Sequence, residues 1–353
     1  MSAEAKPLLK PPVLRSGDTV GVVAPASDVD RAALERGAAA LERLGYQVVY
    51  AESILEREGY FAGSVARRVG ELHQMFERQD VRAIVCARGG YGCNYLLPHL
   101  DLDLIRRNPK IFVGYSDITA LHTWIHDQTG LVTFHGPMVA KDFATAAGEQ
   151  WAGSPQGVHP AAWECAVGGW FNYDAAEEDV SAVVAGEAEG TLYGGCLSIL
   201  ASSLGTPYEI QTRDTVLLLE DVNAKPYQVD RMLMQLAQAG KFAGVRGVVF
   251  GEMVGCAEAG GPASPLREVI ARVVREQCPG VPVAFGFRSG HVSRHNITLP
   301  LGVRCRLAVR AGDVRLTMLE SAVEPAGRDV AMMIASAMAG RGPAQKFGSN
   351  GEN

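Results

Sequence analysis

The chain has 353 residues, of which 47% are hydrophobic and 20% are charged, a composition typical of a soluble globular protein with room for two domains. Its formal net charge of −6 argues against a nucleic-acid partner, which would favour a basic surface. The opening MSAEAKPLLKPP lacks the apolar segment of a signal peptide, and no apolar run approaches the roughly 18 residues of a membrane helix. The 7 cysteines are dispersed without a Cys-x-x-Cys pair, so we expect reduced thiols, a cytoplasmic location and no structural zinc.

Apolar strands alternate with amphipathic helices over residues 1–140. The predicted strands are TVGVVAP (19–25), QVVYAE (47–52), VRAIVCA (81–87), IFVGY (111–115) and LVTFHGP (131–137). Helices are predicted at 28–45 (N-cap Asp28), 64–79 (N-cap Ser64) and 117–130. This alternation predicts an α/β domain built on a doubly wound parallel sheet, which binds ligands at the carboxyl ends of its strands. The loops at 25–27, 88–90 and 115–117 should therefore share one edge of the sheet.

The regular alternation stops at residues 141–185, a stretch rich in Gly, Ala and Trp that we interpret as an irregular linker or lid. Trp163 and Trp170 either belong to the lid or pack in a core. Regular structure returns at 186–325, which we interpret as a smaller C-terminal α/β domain. Its strands are predicted at 189–195, 215–221, 245–253 and 281–287, its helices at 226–239 and 265–277, and a hairpin at 305–319. We expect 326–353 to be a partly disordered tail.

The stretch KIFVGYSDITALHTW (110–124) places Ser116 on a turn between an apolar strand and a helix. One interpretation is structural, because Ser and Asp cap helices by accepting hydrogen bonds from backbone N–H groups. The other is chemical, because α/β hydrolases present a nucleophilic serine on a tight strand-to-helix turn. Such a serine needs a base that takes its proton, and the base needs an acid that orients it. The stretch by itself leaves both interpretations open.

Histidines supply the candidates for the base. His122 and His126 lie one helical turn apart, a spacing that also suits a metal pair, although no H-E-x-x-H pattern accompanies them. His135 follows a strand at the predicted ligand-binding edge. His291 lies in a loop beside glycines, where a functional histidine is more suggestive than on a helix. A solvated loop histidine is the alternative reading of His291.

Carboxylates and backbone amides complete the set of candidate groups. The run TVLLLED ends in two carboxylates, and strand geometry places Glu220 and Asp221 on opposite faces, so at most one points into a given pocket. Glu220 is the candidate acid, with a partner for a helix N-terminus as the alternative. The amide of Asp117 and an amide of the Gly89-Gly90 loop are candidates for stabilising an oxyanion. The same loop lacks the fingerprints of phosphate and dinucleotide sites.

Seven stretches make the chain resemble the LD-carboxypeptidases, serine peptidases that include muramoyl-tetrapeptide carboxypeptidase. They follow one another in the family's order from about residue 18 to residue 320 and so cover most of the chain. They are GVVAPAS (21–27), FAGS (61–64), ARGGYG (87–92), VGYSDITALH (113–122), FHGPM (134–138), LLLEDVNAKPYQVDRML (217–233) and GHVSRHNITLPLG (290–302).

The resemblance implies a catalytic triad in which Ser116 is the nucleophile, His291 the base and Glu220 the acid that orients it. It implies an oxyanion hole made by the Asp117 amide and an amide of the Gly89-Gly90 loop, without fixing which glycine donates. It also implies a two-domain architecture, with the serine on the first domain, the other two residues on the second and the active site in the cleft between them. A homodimer is implied as well.

The family's reaction is hydrolysis of the amide bond between an L-centre and a terminal D-amino acid. For muropeptides this releases D-Ala from the tetrapeptide during cytoplasmic cell-wall recycling, through an acyl-enzyme and without a metal or organic cofactor. The residue before the scissile bond stays open between diaminopimelate and lysine. A terminal carboxylate suits an arginine, and we expect Arg88, Tyr115 and Arg294 to bind the substrate.

Departures from the family pattern leave alternatives open. The family commonly has Gly-Gly-Asn-Leu where this chain has GGCL, so a polar contact at Cys196 is missing or replaced. Related peptidases that hydrolyse microcin C-type peptidyl nucleotides share the triad, and tryptophans of the 141–185 segment would stack on the base. A protein that binds muropeptides without cleaving them is a second alternative, which the intact Ser116, Glu220 and His291 argue against. The missing dinucleotide fingerprint argues against an oxidoreductase.

Overall fold

The structure is a computed structural model that describes residues 7–145, 157–169, 180–257 and 264–324. Strands β1 to β15 span Thr19–Val23, Gln47–Val49, Val81–Cys86, Ile111–Gly114, Thr133–His135, Gly157–Val158, Ser181–Val184, Gly186–Cys196, Thr215–Glu220, Gly247–Gly251, Val283–Phe287, His295–Asn296, Leu299–Leu301, Arg304–Arg310 and Asp313–Met318. Helices α1 to α8 span Arg31–Arg43, Val65–Glu77, Leu102–Arg107, Thr119–Thr129, Pro160–Val167, Leu197–Ser203, Pro226–Gln238 and Ser264–Gln277. The tail expected at 326–353 lies outside the described residues.

The first sheet confirms the predicted parallel α/β domain. Its strand order is β13-β5-β4-β3-β1-β2, with β1 to β5 parallel to one another. Successive residues of β3 point to opposite faces, so Ala83 and Val85 belong to one core cluster and Ile84 and Cys86 to another. A sheet with a hydrophobic core on each face needs strands that are apolar almost throughout, which is the sequence pattern of β3 apart from the exposed Arg82.

Two helices of this domain begin at side-chain caps. The carboxylate of Asp30 accepts a hydrogen bond from Ala33 N at 2.8 Å at the start of α1, two residues after the predicted cap. The hydroxyl of Ser64 accepts one from Arg67 N at 3.2 Å and starts α2 where the sequence predicted. Each cap satisfies a backbone donor that the helix cannot satisfy itself.

The second sheet has the strand order β15-β14-β8-β9-β10-β11-β7. Strands β8 to β11 are parallel, whereas β7, β14 and β15 run antiparallel to their partners. Leu217, Leu219 and Phe250 pack in one cluster with Leu233 of α7. The protein is therefore a two-domain α/β fold, and β9 ends at Glu220 in the middle of the second sheet.

Two elements depart from the sequence pattern. Strand β13 follows the loop of His291, yet it pairs antiparallel with β5 of the first sheet, with Leu299 opposite His135. Helix α5 lies inside the segment interpreted as irregular, and its Trp163 is 1% exposed. The indole donates a hydrogen bond to Tyr46 Oη at 3.2 Å. The lid interpretation of Trp163 is therefore wrong, because it is a core residue, while Trp170 lies outside the described residues.

No helix within the described ranges is long and apolar enough to cross a membrane. All 7 cysteines carry free thiols. Burial raises the pKa of the thiol of Cys305 to about 12, that of Cys165 to about 11, and those of Cys86 and Cys93 well above the ordinary range. These four cysteines are therefore protonated packing residues at neutral pH.

Candidate active site

Ser116 lies on a strained turn between β4 and α4. Its φ is +64°, a left-handed conformation that a residue other than glycine adopts at an expense of about 1–3 kcal/mol. In this described part of the chain, neither the turn Ser116–Ile118 nor the following helix α4 begins with a side-chain capping bond. The capping interpretation of Ser116 is therefore wrong, and the strained turn resembles the way that hydrolases expose a nucleophile.

The backbone of Gly89 lies directly against the Ser116 side chain. A Cβ atom at position 89 would stand 2.8 Å from Ser116 Cβ and 3.1 Å from Ser116 Oγ. A Cβ at Gly90, whose φ is +116°, would collide with Ser27 Oγ, which accepts a hydrogen bond from Tyr91 N at 3.1 Å. Both glycines are thus required by close backbone approach, and the glycine loop borders the serine hydroxyl.

Arg68 joins two of the loops at this edge of the sheet, and the sequence patterns did not indicate it. Its side chain is 2% exposed, and Nη1 donates to Pro25 O at 2.7 Å and to Gly92 O at 2.9 Å. The guanidinium therefore fixes the loop before α1 to the loop that contains Gly89 and Gly90. A buried arginine needs such carbonyl partners, because an unpaired buried charge is strongly unfavourable.

Glu220 and His291 form a buried pair. Glu220 Oε2 accepts a hydrogen bond from His291 Nδ1 at 2.7 Å and a second from the His291 backbone N at 3.0 Å. Glu220 is fully buried and His291 is 8% exposed. Because Nδ1 carries the proton that the carboxylate accepts, the neutral ring has its lone pair on Nε2 and can take a proton there.

Two histidines keep Glu220 ionised despite its burial. Loss of solvent by itself would raise the pKa of the carboxyl group, but His135 and His291 oppose this and lower the pKa to about 2. The glycine of the following loop permits this packing, because a Cβ at Gly290 would stand 2.6 Å from Glu220 Cδ. Glu220 is thus an anion, and it holds the His291 ring in a single orientation.

Asp221 points to the opposite face of β9, as the strand period predicted. Its Oδ2 accepts a hydrogen bond from Ser198 N at 2.8 Å, in the first turn of α6. The sequence left two roles open for a carboxylate here, the acid of the site and a partner for a helix N-terminus, and each carboxylate takes one of them. Asp221 satisfies a helix N-terminus, and Glu220 holds His291.

A short path of contacts connects the Ser116 turn to Glu220. Thr119 starts α4 three residues after the serine, and its Oγ1 accepts a hydrogen bond from Cys196 N at 3.0 Å. Cys196 is the register partner of Glu220 across the β8–β9 pair. The Cys196 thiol, at the position where the family commonly has Asn, contacts Ser198 Oγ at 3.3 Å. Direct packing thus brings the elements that carry Ser116 and Glu220 together.

His122 and His126 each make a hydrogen bond to a backbone carbonyl. His122 Nε2 bonds to Gly114 O at 2.9 Å, and His126 Nδ1 bonds to Leu131 O at 2.9 Å. Burial lowers the pKa of His122 to about 3 and also lowers that of His126. Both are neutral packing residues, and no cluster of three metal-ligating side chains exists within residues 7–145, 157–169, 180–257 and 264–324.

Tyr115 does not contact solvent. It is 0% exposed, and its ring packs edge-on against the His291 ring at 5.1 Å between centroids. The expected substrate contact of Tyr115 is therefore wrong. A fully buried ring supports the histidine from the side, and the position was misassigned because sequence shows proximity to Ser116 but not the direction of the side chain.

Three exposed cations surround the site. Arg88 precedes Gly89, and its Nη1 donates to Asp28 O at 3.1 Å. Arg294 is exposed in the loop that follows His291. Lys141, which the sequence patterns did not indicate, places Nζ 5.2 Å from the centroid of the Tyr115 ring. Its position could not be found from spacing, because residues 139–143 form an irregular turn whose Ala140 N bonds to Ala87 O at 2.8 Å.

An aromatic surface and a cavity adjoin the glycine loop. Tyr60, Tyr91 and Tyr95 are 57%, 42% and 47% exposed and pack around Phe61, with ring centroids between 4.4 and 6.1 Å apart. A cavity of about 490 Å³ lies beside it, between α4 and α6. Its lining includes Tyr91, Asn94, Asp117, Thr123, Ser203 and Tyr208.

The chain matches two family models in sequence order. The LD-carboxypeptidase N-terminal domain matches residues 20–136, and the LD-carboxypeptidase C-terminal domain matches residues 189–307. Ser116 lies in the first match, and Glu220 and His291 lie in the second.

Known proteins with similar sequences or structures carry carboxypeptidase or microcin-immunity names. A probable murein peptide carboxypeptidase of Bacillus subtilis is 40% identical over 305 residues, which are 84% of this chain and 91% of the relative. The crystal structure of muramoyltetrapeptide carboxypeptidase from Oxalobacter formigenes has a TM-score of 0.74 at 27% identity and covers 86% of this chain and 99% of its own. MccF, a microcin self-immunity protein of Escherichia coli, is similar in its complex with glutamyl sulfamoyl guanosine, with a TM-score of 0.77 at 25% identity, covering 90% of this chain and 100% of its own.

Proposed function

Because the chain belongs to the LD-carboxypeptidase family and is therefore a peptidase, we propose that it removes the terminal D-alanine from muropeptide tetrapeptides in cell-wall recycling. The observation that carries the proposal is the buried Glu220–His291 pair, packed against the element that bears a strained Ser116. Binding without cleavage is the weaker candidate, since the similar proteins from Bacillus subtilis and Oxalobacter formigenes are named as carboxypeptidases.

We assign the nucleophile to Ser116 and the base to His291. His291 Nε2 takes the proton of the serine hydroxyl as Oγ attacks the carbonyl carbon of the scissile amide. Glu220, bonded to Nδ1, fixes the ring and stabilises the imidazolium that forms. The imidazolium then donates its Nε2 proton to the leaving amine, D-alanine departs, and an acyl-enzyme remains on Ser116. Water, deprotonated by His291, hydrolyses the ester and restores the serine.

The oxyanion of each tetrahedral intermediate needs donors near Ser116. We assign the backbone amide of Asp117 and an amide of the Gly89-Gly90 loop, and the contact between Gly89 and the Ser116 side chain supports the second assignment. Fixed amides stabilise the developing charge without having to reorient during the reaction. Gly89→Ala should disturb this arrangement, whereas Gly70→Ala, which has open space around its Cβ on α2, is the matched control.

The terminal carboxylate of the substrate needs a cation outside the triad. We propose Lys141 for this role beside the predicted Arg88 and Arg294, because its ammonium stands over Tyr115, which itself packs on His291. Lys141→Met should raise KM for the tetrapeptide by about tenfold while kcat changes little. On a tetrapeptide with an amidated C-terminus, Lys141→Met should have the same KM as the wild type. Equal losses on both peptides would contradict a carboxylate contact by Lys141.

A peptidyl-nucleotide substrate is the second candidate. The aromatic surface of Tyr60, Tyr91 and Tyr95 beside the glycine loop favours it, because exposed rings stack on nucleobases. Trp163 cannot make that contact, since it is buried in the core cluster that contains Ala83 and Val85. The solved complex of MccF with glutamyl sulfamoyl guanosine supplies the ligand to test.

One comparison of substrates tests the proposal. We would measure kcat/KM for an LD-tetrapeptide ending in D-Ala, for the same peptide ending in L-Ala, and for glutamyl sulfamoyl guanosine. We expect the LD-tetrapeptide to be favoured by about 100-fold over both others. Preference for the nucleotide would establish the second candidate instead, and cleavage of the L-Ala peptide at an equal rate would contradict the LD specificity.

A further inference from the structure

A second histidine faces Glu220 from the side opposite His291. His135 ends β5 and is 0% exposed, and its Nε2 lies 3.7 Å from Glu220 Oε1. That distance exceeds hydrogen-bond length but leaves the two groups in electrostatic contact. Oε2, the other oxygen of the same carboxylate, bonds to His291. One carboxylate is thus held between two rings.

The two atoms that face each other are both otherwise unsatisfied. Within the described residues, neither His135 Nε2 nor Glu220 Oε1 has a hydrogen-bond partner, and both are buried. A buried carboxylate oxygen without a donor is strongly unfavourable, and so is a buried ring nitrogen without a partner. Each atom is therefore the available partner for the other.

We propose that His135 is a positioning residue for the acid of the triad, with a proton on Nε2 that faces Glu220 Oε1. The carboxylate is then fixed at both oxygens, so that Oε2 stays directed at His291 Nδ1. The inference rests on the proposed function only where it concerns the rate of hydrolysis. The geometry of the carboxylate is a separate claim, and it is tested separately.

Ser289 holds the His135 ring in this orientation. Ser289 Oγ lies 2.8 Å from His135 Nδ1 and 3.2 Å from His135 O. If the hydroxyl donates to Nδ1, the neutral ring carries its proton on Nε2. If the hydroxyl donates to the carbonyl, Nδ1 donates to Oγ, and a proton on Nε2 makes the ring the counter-charge of Glu220. In both arrangements Nε2–H faces the carboxylate, whereas a bare Nε2 would set its lone pair against an anion.

Among the described residues, the other side chains around His135 do not offer an anion to Nε2, so Glu220 is the partner of that nitrogen. The Tyr115 ring lies 6.0 Å from the His135 ring and the His122 ring 6.5 Å from it, between centroids. His122 is neutral, because burial lowers its pKa to about 3 and its Nε2 is bonded to Gly114 O. Gly290 leaves room for the contact, since a Cβ there would stand 2.8 Å from both Glu220 Oε2 and His135 Cε1.

Two amide substitutions separate the two nitrogens of His135. His135→Gln keeps a donor near the position of Nε2, whereas His135→Asn keeps one near the position of Nδ1, facing Ser289. We expect kcat on the LD-tetrapeptide to fall by about 100-fold in His135→Asn, with KM little changed, and His135→Gln to recover most of the loss. Equal activity of the two variants, or recovery by Asn instead of Gln, would overturn the proposal. His122→Gln, which removes a buried histidine without a contact to Glu220, is the matched control.

A proton NMR experiment on the resting full-length protein tests the geometry without any substrate. The Nδ1–H of His291, bonded to a carboxylate at 2.7 Å, gives a far-downfield resonance. We expect the resonance to persist in His135→Gln and to be lost or strongly shifted in His135→Asn. Its persistence unchanged in both variants would overturn the positioning role, even if the protein cleaves the tetrapeptide. Its loss in the Asn variant alone would support the role, even if the tetrapeptide is not the substrate.

A variant of Ser289 keeps the test decisive if substitutions at His135 prevent folding. Ser289→Ala removes the hydroxyl that orients the ring and leaves the ring itself in place. We expect about a tenfold fall in kcat, together with a shift of the downfield resonance. A Ser289→Ala protein that matches the wild type in both measurements would contradict the proposal.

Discussion

Glu220 Oε2 accepts two hydrogen bonds from His291, one from the ring Nδ1 at 2.7 Å and one from the backbone N at 3.0 Å. The double contact fixes both the ring and the loop that carries it. It also joins a strand end of the second sheet to a loop that leads into β13, an edge strand of the first sheet. The chain therefore passes from β11 of the second sheet through the His291 loop to β13 of the first sheet, and it returns to the second sheet at β14. The bonds to Glu220 fasten this crossing to the end of β9.

Replacing Ser116 should separate chemistry from backbone strain. Ser116→Ala and Ser116→Gly should each lower kcat by about 10⁴-fold or more, because both lack the nucleophile. Only glycine adopts the left-handed φ of +64° without strain. The free energy of unfolding of Ser116→Gly should therefore be about 1 kcal/mol higher than that of Ser116→Ala. Urea unfolding of the two variants measures this difference. Equal stabilities would show that the turn is not strained.

The ionised Glu220 should contribute stability that depends on pH. Its folded-state pKa of about 2 lies below the ordinary value of 4.5, so the ionised carboxylate stabilises the fold above about pH 4.5 and loses this effect as the pH falls toward 2. Glu220→Gln has no such group. The difference in unfolding free energy between wild type and Glu220→Gln should therefore fall by about 2 kcal/mol between pH 5 and pH 3. A difference that does not change with pH would contradict the assignment of a buried anion.

The space that Gly290 leaves for Glu220 can be tested with a single methyl group. Gly290→Ala should lower kcat by about 100-fold, because the added Cβ would stand 2.6 Å from Glu220 Cδ and displace the carboxylate. Gly312→Ala is the matched control, since its φ of +73° imposes a similar backbone strain in open space. The control should lose about 1 kcal/mol of stability and keep its kcat. Similar kcat values for the two variants would contradict the account.

Arg68 should stabilise the loops around the glycines. Arg68→Met keeps most of the side-chain volume but removes the donors to Pro25 O and Gly92 O, so we expect the free energy of unfolding to fall by about 3 kcal/mol. Arg246→Met breaks an exposed ion pair to Asp214 and should change stability by less than about 1 kcal/mol. Thermal and urea unfolding measure both. Equal effects would show that burial of Arg68 adds nothing to its contribution.

The sequence predicted the parts of the fold that depend on local patterns. Nearly continuous apolar runs such as VRAIVCA indicated buried parallel strands, and Ser64 indicated a helix start that the structure confirms. Strand Leu299–Leu301 was missed, because three residues that include a proline carry no strand signal. Its pairing with Thr133–His135 is fixed by contacts between residues at least 164 positions apart in the chain, such as Leu299 and His135.

The candidate site likewise contains residues that local sequence patterns indicated and residues that they did not. Ser116, Glu220 and His291 lie in short recognisable stretches, whereas the setting of His135 could not be inferred from spacing. Its partner Ser289 is 154 residues away in the chain. Tyr115 was misassigned as a substrate contact for a related reason, because the direction of a side chain at a strand end depends on what packs against it. Tertiary packing determines which neighbours of a motif face the substrate.

Trapping the acyl-enzyme tests the assignment of Ser116 most directly. Wild type and Ser116→Ala would be mixed with the LD-tetrapeptide, quenched with acid within milliseconds to seconds, and analysed by intact-mass and peptide-mapping mass spectrometry. We expect a tripeptidyl adduct on Ser116 in the wild type, accompanied by free D-alanine, and neither product in Ser116→Ala. Release of D-alanine by Ser116→Ala, or an adduct on another residue, would contradict the assignment.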